Sequence, residues 1–269
     1  MQISTIEHDG FSICSHQTGS GEPIIFLHGF PDSSHVWHDL MEPLGENFHC
    51  IGIDIQGLGN TRPPANCSFR LKDQGNFVKS AMAALEISQP IHLVVHDLGA
   101  FPGLAYATDN PELIRSITIF NADFHADFRW YFWAKVWRLP ILGEIAMHTG
   151  NFKIFKSEMR HGSPSFTDAY LREVYDRITT YNRTMALKHF RAWNKEELTA
   201  YEPAFLEHTR HIPKLVIWGN QDPYSAVTYA TRFGTDNIAY RENCGHWMMI
   251  EATDFSLQHM RKFLGELSS

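Results

Sequence analysis

Ile91-His92-Leu93-Val94-Val95-His96-Asp97-Leu98-Gly99-Ala100-Phe101-Pro102-Gly103-Leu104 is the stretch on which the reading of this chain turns. Ile91, Leu93, Val94 and Val95 form an apolar run too short for a helix, which predicts a buried parallel strand. Asp97 ends that run. From Ala100 to Tyr106-Ala107 the sequence is compatible with a helix, so Asp97 stands where a strand turns sharply into a helix. A strained turn of this kind lifts a reactive side chain clear of the sheet and brings the next backbone N–H to the reacting centre. Gly99 gives the turn room. The same aspartate would also serve as an N-cap for the helix, and the stretch alone leaves both roles open.

Outward from this turn, strands alternate with helices. Residues 1–16 read as two short strands around Asp9-Gly10. Pro23–Leu27 and Phe48–Ile55 are further strands, and Ser33 or Ser34 caps a helix carrying Trp37, Leu40 and Leu44. A helix over 71–85 precedes the Asp97 strand, and Leu113–Asn121 supplies the strand after it. This alternation predicts an α/β fold with a parallel sheet covered on both faces. At Asn121 it stops. Residues 122–203 contain no strand pattern; a helical, aromatic stretch begins at Phe128-Arg129-Trp130-Tyr131-Phe132-Trp133, and helices follow over about 144–160, 167–177 and 180–193. Alternation resumes with Pro213–Trp218, a helix near 225–233, a strand over 237–241 and a closing helix over 254–267. The expected organisation is a main domain of residues 1–121 and 204–269 with a helical cap, 122–203, inserted after the sixth strand. The aromatic residues of the cap are expected mostly in its core, with a few walling an apolar pocket.

Composition narrows the function. At 269 residues and 43% hydrophobic, the chain suffices for one substantial core. A net charge of -7 argues against nucleic-acid binding. There is no P-loop, no zinc-type Cys/His spacing and no basic run, so neither a cofactor nor a metal is expected. The Gly57 and Gly59 loop lacks the third glycine and the immediate helix of a dinucleotide fingerprint. Four scattered cysteines fit a reducing compartment, and no signal peptide or apolar span of 18 residues is evident. The expectation is a cytoplasmic protein with no membrane or nucleic-acid partner, acting on a small apolar molecule and water.

Three residues past predicted strands suggest chemistry. Asp222, in Trp218-Gly219-Asn220-Gln221-Asp222-Pro223, and His246, in Asn243-Cys244-Gly245-His246-Trp247, follow Asp97 in chain order. A carboxylate accepting the imidazole N–H holds the tautomer and stabilises the cation, so His246 can take a proton from water. Asp123, just past the strand ending at Asn121, is the runner-up acid. The backbone N–H groups of Leu98 and of Phe30, in His28-Gly29-Phe30-Pro31, are the candidate oxyanion donors.

These motifs resemble a family. Leu93-Val94-Val95-His96-Asp97-Leu98-Gly99 looks like the elbow of haloalkane dehalogenases, and His28-Gly29-Phe30-Pro31-Asp32-Ser33-Ser34-His35-Val36-Trp37 looks like their oxyanion loop; epoxide hydrolases share its His-Gly-x-Pro pattern. The resemblance implies the alpha/beta-hydrolase fold with a mostly parallel eight-stranded sheet. It also implies attack by the Asp97 carboxylate on an electrophilic carbon and cleavage of the resulting ester by water that His246 activates. Two departures bear on substrate. Dehalogenases carry a Trp after the nucleophile to hold the halide, and many carry Asn after His-Gly; here these positions are Leu98 and Phe30, which offer no side-chain N–H. Phe190 stands where a similar epoxide-hydrolase segment has Tyr, leaving Tyr131, Tyr170, Tyr175 or Tyr181 as donors to an epoxide oxygen. Epoxides are preferred over haloalkanes on this basis. His28, Trp130, Trp133, Tyr181, Phe190 and Trp247 are the expected pocket residues. A ligand-binding or signalling protein on the same fold is the alternative.

Overall fold

The computed structural model describes residues 1–268. Strands β1 (Gln2–His8) and β2 (Phe11–Thr18) form an antiparallel hairpin through Asp9-Gly10, followed by β3 (Glu22–Leu27). A 3-10 turn at Ser34–Trp37 leads into α1 (His38–Leu44), then β4 (Phe48–Ile53), α2 (Leu71–Ala84), β5 (Ile91–His96), α3 (Ala100–Asp109) and β6 (Ile114–Phe120). Six helices come next: α4 (Phe132–Trp137), α5 (Leu142–Thr149), α6 (Phe152–Gly162), α7 (Asp168–Arg177), α8 (Thr180–Ala192) and α9 (Lys195–His208). The chain closes with β7 (Lys214–Gly219), a 3-10 segment at Val227–Arg232, β8 (Ile238–Arg241), α10 (Met248–Glu251) and α11 (Thr253–Ser268).

The eight strands form one sheet in the order β1-β2-β4-β3-β5-β6-β7-β8, and strands β3 to β8 are mutually parallel. This is the alpha/beta hydrolase fold. Successive side chains of a strand face opposite sides, so each central strand feeds two cores. Ile25, Leu27, Leu93 and Val95 join α2 and α3 on one face. Ile24, Phe26 and Val94 join Trp37, Met248 and Met260 on the other. Because β5 is buried on both faces, it reads as a continuous apolar run, which is why its position was legible in sequence.

The insertion departs from expectation in three places. Of the aromatic stretch from Phe128, only Phe132–Trp137 is helical. The helix expected over 144–160 is two, α5 and α6, separated at Gly150, where Asn151 caps α6 by accepting from the Ile154 N–H. The expected boundary at 203/204 falls within α9, which packs on α3, since Pro203 lies inside a helix that continues to His208. The helix expected near 225–233 is 3-10 over Val227–Arg232. No helix among the described residues is long and apolar enough to cross a membrane.

Candidate active site

The parallel strands deliver one loop each to their carboxyl-terminal edge, where open α/β sheets gather their functional groups. Asp97 follows β5 with φ 47°, a left-handed conformation that costs a non-glycine residue on the order of 1 kcal/mol or more. Two glycines permit this geometry. A Cβ on Gly99 would lie 2.3 Å from the Leu27 carbonyl oxygen, and one on Gly29 would lie 2.2 Å from Asp97 Oδ2. The loop after β3 therefore closes directly on the aspartate, and the Phe30 N–H donates to Asp97 Oδ2 at 2.9 Å. The Leu98 N–H also bonds the carboxylate. Both expected backbone donors thus converge on one group.

Asp97 Oδ1 lies 3.8 Å from His246 Nε2, and His246 Nδ1 is 2.7 Å from Asp222 Oδ2. Asp222 is held on every side: its Oδ1 accepts from the Tyr224 and Ser225 N–H groups, and its Oδ2 also accepts from Asn121 Nδ2. Asn121 in turn accepts the Gly219 N–H. Asp123 does not reach the imidazole. Its carboxyl accepts from the Ser225 hydroxyl, and burial pushes its pKa well above the usual carboxylate range, favouring the neutral form. Of the two candidate acids, Asp222 is hydrogen-bonded to His246 and Asp123 is bonded to Ser225.

Burial raises the Asp97 pKa, while the His246 charge and the Leu98 and Phe30 N–H groups oppose the rise. For His246, burial disfavours the cation, but the charge and hydrogen bond of Asp222, with Asp97 beyond, lift the imidazole to about 9. The two carboxylates thus favour the imidazolium form of His246.

A cavity of 250 Å³ opens above Asp97 and His246, walled by Tyr131, Trp133, Trp137, Met147, Phe155 and Trp247 among others. Trp133 and Trp247 were expected there; four other residues are elsewhere. His28 is fully buried, with Nδ1 donating to the Gly29 carbonyl and Nε2 accepting the Ile55 N–H, so it props the loop from behind. Phe190 is buried among Phe30, Trp130 and Trp137. Trp130 packs edge-on against Trp193, with the Arg138 guanidinium 5.5 Å above its ring. Tyr181 lies under the Arg62 guanidinium. Each packs against at least one neighbour remote in sequence, which composition does not reveal. Conversely, Tyr224 was not singled out, Trp137 was named only as one of four cap tryptophans that could hold a halide, and Asn121 and Asp32 gained no role from sequence. Asp32 accepts from Trp247 Nε1 at 2.7 Å, tying the Phe30 loop to the His246 loop.

The tyrosines separate clearly. Tyr131 lines the cavity with its ring 4.6 Å from that of Tyr224, and its hydroxyl has no hydrogen-bond partner among the described residues. The Tyr224 hydroxyl donates to the Glu158 carbonyl. Tyr175 donates to Gly150, and Tyr170 is half-buried and does not line the cavity. Leu98 is packed in the core on the α2 and α3 side and offers the site only its backbone.

Comparison with known proteins bears on the family and the fold. A cis-3-alkyl-4-alkyloxetan-2-one decarboxylase of Shewanella oneidensis is 26% identical, covering 92% of this chain and 83% of that protein. A haloalkane dehalogenase of Agrobacterium fabrum is 33% identical over 45% of this chain, a match spanning 36% of the dehalogenase. In structure, a laboratory-evolved variant of potato epoxide hydrolase superposes with a TM-score of 0.80, covering 98% of this chain and 99% of that one at 16% identity, which speaks to the fold alone. The family model for the alpha/beta hydrolase fold matches residues 22–253, and the chain, whose named relatives are enzymes, belongs to that family.

Proposed function

We propose that the protein is a hydrolase with Asp97 as nucleophile, acting on small apolar substrates with a strained oxygen-containing ring, epoxides first. The observation that carries this reading is the division of labour on one carboxylate that lines the cavity: Oδ2 accepts the Phe30 N–H, while Oδ1 stands 3.8 Å from His246 Nε2. Oδ1 attacks the ring carbon, a C–O bond forms, and the ring C–O bond breaks. The leaving oxygen stays tethered and takes a proton from the Tyr131 hydroxyl, which lines the cavity without a partner of its own. His246 then deprotonates a water, which adds to the Asp97 ester carbon. The oxyanion of that tetrahedral species forms on Oδ2, to which the Phe30 N–H already donates, and the Leu98 N–H bonds the same carboxyl group. That species collapses by breaking the ester C–O bond; the departing product oxygen takes the proton held by the His246 imidazolium, which Asp222 stabilises, and the Asp97 carboxyl then returns its proton to His246. The Tyr131 phenolate regains, through solvent, the proton that the resting imidazolium gives up before it acts as base. Esterification neutralises Asp97 and removes one of the charges that raise the His246 pKa, so the base becomes easier to deprotonate when it is needed. The helical insertion serves as the cap.

A second reading follows from the oxetan-2-one decarboxylase relative, whose match spans most of both chains. Attack of Asp97 on the alkyl carbon of a four-membered lactone would expel a tethered carboxylate. Loss of carbon dioxide then forms the alkene and returns Asp97 without any water. Intact-mass measurement of His246→Ala protein mixed with epoxides, oxetan-2-ones and alkyl bromides tests both. An adduct on Asp97 from epoxides supports the first reading. Turnover of oxetanones to alkene in the absence of His246 supports the second. No adduct with any of them, alongside tight reversible binding, would favour a receptor.

A further inference from the structure

The helices that wall the cavity also carry an unusual outer surface. Of the ten large apolar side chains that stand exposed among the described residues, six lie between 132 and 154: Phe132, Leu139, Ile141, Leu142, Ile145 and Ile154. They are not scattered. Leu142 and Ile145 form a stripe on α5 that continues to Thr149, and Thr149 and Ile154 reach the rim of the cavity. At the tip, Ile141 is 75% exposed and holds φ 66°, a conformation that a β-branched residue adopts only under strain. Clustered apolar exposure of this kind marks a contact surface.

Charge indicates what the surface contacts. Residues 128–161 contain six Lys and Arg against two Glu, a net of +4 in a chain whose net charge is -7. Lys156 and Arg160 are paired with Asp168, but Lys135 and Lys153, next to Ala134 on α4 and Ile154 on α6, form no ion pair among the described residues. An apolar face flanked by unpaired lysines on an otherwise acidic protein complements a layer of anionic headgroups over hydrocarbon. We infer that this face of α4, α5 and α6 docks on an anionic lipid surface and places the cavity rim against it. This differs from the expectation of no membrane partner, which rested on the absence of a spanning segment; a peripheral face needs none. It goes beyond the reaction proposed above and does not depend on it.

Sedimentation of the full chain with phosphatidylcholine vesicles, with and without phosphatidylglycerol, tests this directly. The wild type is expected to pellet with the anionic vesicles and to stay in solution with the neutral ones. Ile141→Asp/Ile145→Asp and Lys135→Glu/Lys153→Glu should each lower partitioning about tenfold or more. Asp tolerates the left-handed position better than Ile, so the first variant should keep its fold, as circular dichroism would verify. Wild type remaining in solution with anionic vesicles overturns the inference. So does equal pelleting of all three proteins. A concentration-dependent dimer that Ile141→Asp/Ile145→Asp dissolves, with no vesicle binding, would reassign the face to self-association.

Discussion

Nε2 of His246 lies 3.8 Å from Oδ1 of Asp97, beyond hydrogen-bonding distance but close enough for the two charges to stabilise one another. The gap has a use. A direct hydrogen bond would hold Oδ1 on the imidazole, whereas this spacing leaves Oδ1 unbonded to it, as the proposed attack by Asp97 requires. Asp97→Asn should therefore abolish adduct formation and lower turnover by at least ~10³-fold, since the amide is a poor nucleophile of nearly the same shape. Its melting temperature should not fall, because a buried charge has been removed. Steady-state kinetics, with mass spectrometry to exclude deamidation, checks both.

The acid can be assigned by a matched pair of variants. Asp222→Asn should cost on the order of 10⁴-fold in kcat, as in triads that lose their orienting carboxylate. Asp123→Asn should cost much less, because Asp123 bonds Ser225 and is disposed to be neutral. Equal losses would mean that both carboxylates act on His246.

A pH dependence follows from His246. Its folded pKa of about 9 exceeds its ordinary value of 6.5. The stabilisation is therefore fully present below pH 6.5 and is lost as pH rises through about 9. The full shift would correspond to about 3 kcal/mol. Thermal melts across this window should fall more steeply for wild type than for His246→Gln, and parallel curves would show that the imidazole is not raised.

Tyr131 offers a test of substrate class. Tyr131→Phe should slow epoxide opening by about 10²-fold or more, the usual worth of a positioned general acid. Adduct formation from an alkyl bromide, whose leaving group needs no proton, should change little. Comparing adduct rates for the two electrophiles in a His246→Ala background isolates this step.

Leu98 sets the remaining expectation. With the Leu98 side chain in the core, the position after Asp97 supplies no indole, and a departing halide that lacks this donor can lose on the order of 3 kcal/mol, or ~100-fold in rate. Halide release from 1,2-dibromoethane or 1-bromobutane should be correspondingly weak beside epoxide turnover. Release at the rate of an efficient dehalogenase would mean that Trp133 or Trp137 provides the donor.

Local pattern was enough to read the sheet, the Asp97 turn and the order in which Asp97, Asp222 and His246 appear. A strand buried on both faces writes itself as an uninterrupted apolar run, and a glycine two residues after a strand-end aspartate reports the close approach that the backbone must make. The helical insertion was legible as helices but not as surfaces. Trp130, Tyr181 and Phe190 look no different in sequence from Trp133 and Trp137, and only their tertiary partners, Trp193, Arg62 and Trp137 respectively, set the first group apart from the cavity wall. The contacts that link Asp32 to Trp247 and Asn121 to Asp222 span 215 and 101 residues. Such pairs meet because parallel strands bring distant loops to one edge of the sheet, and that juxtaposition belongs to the tertiary structure alone.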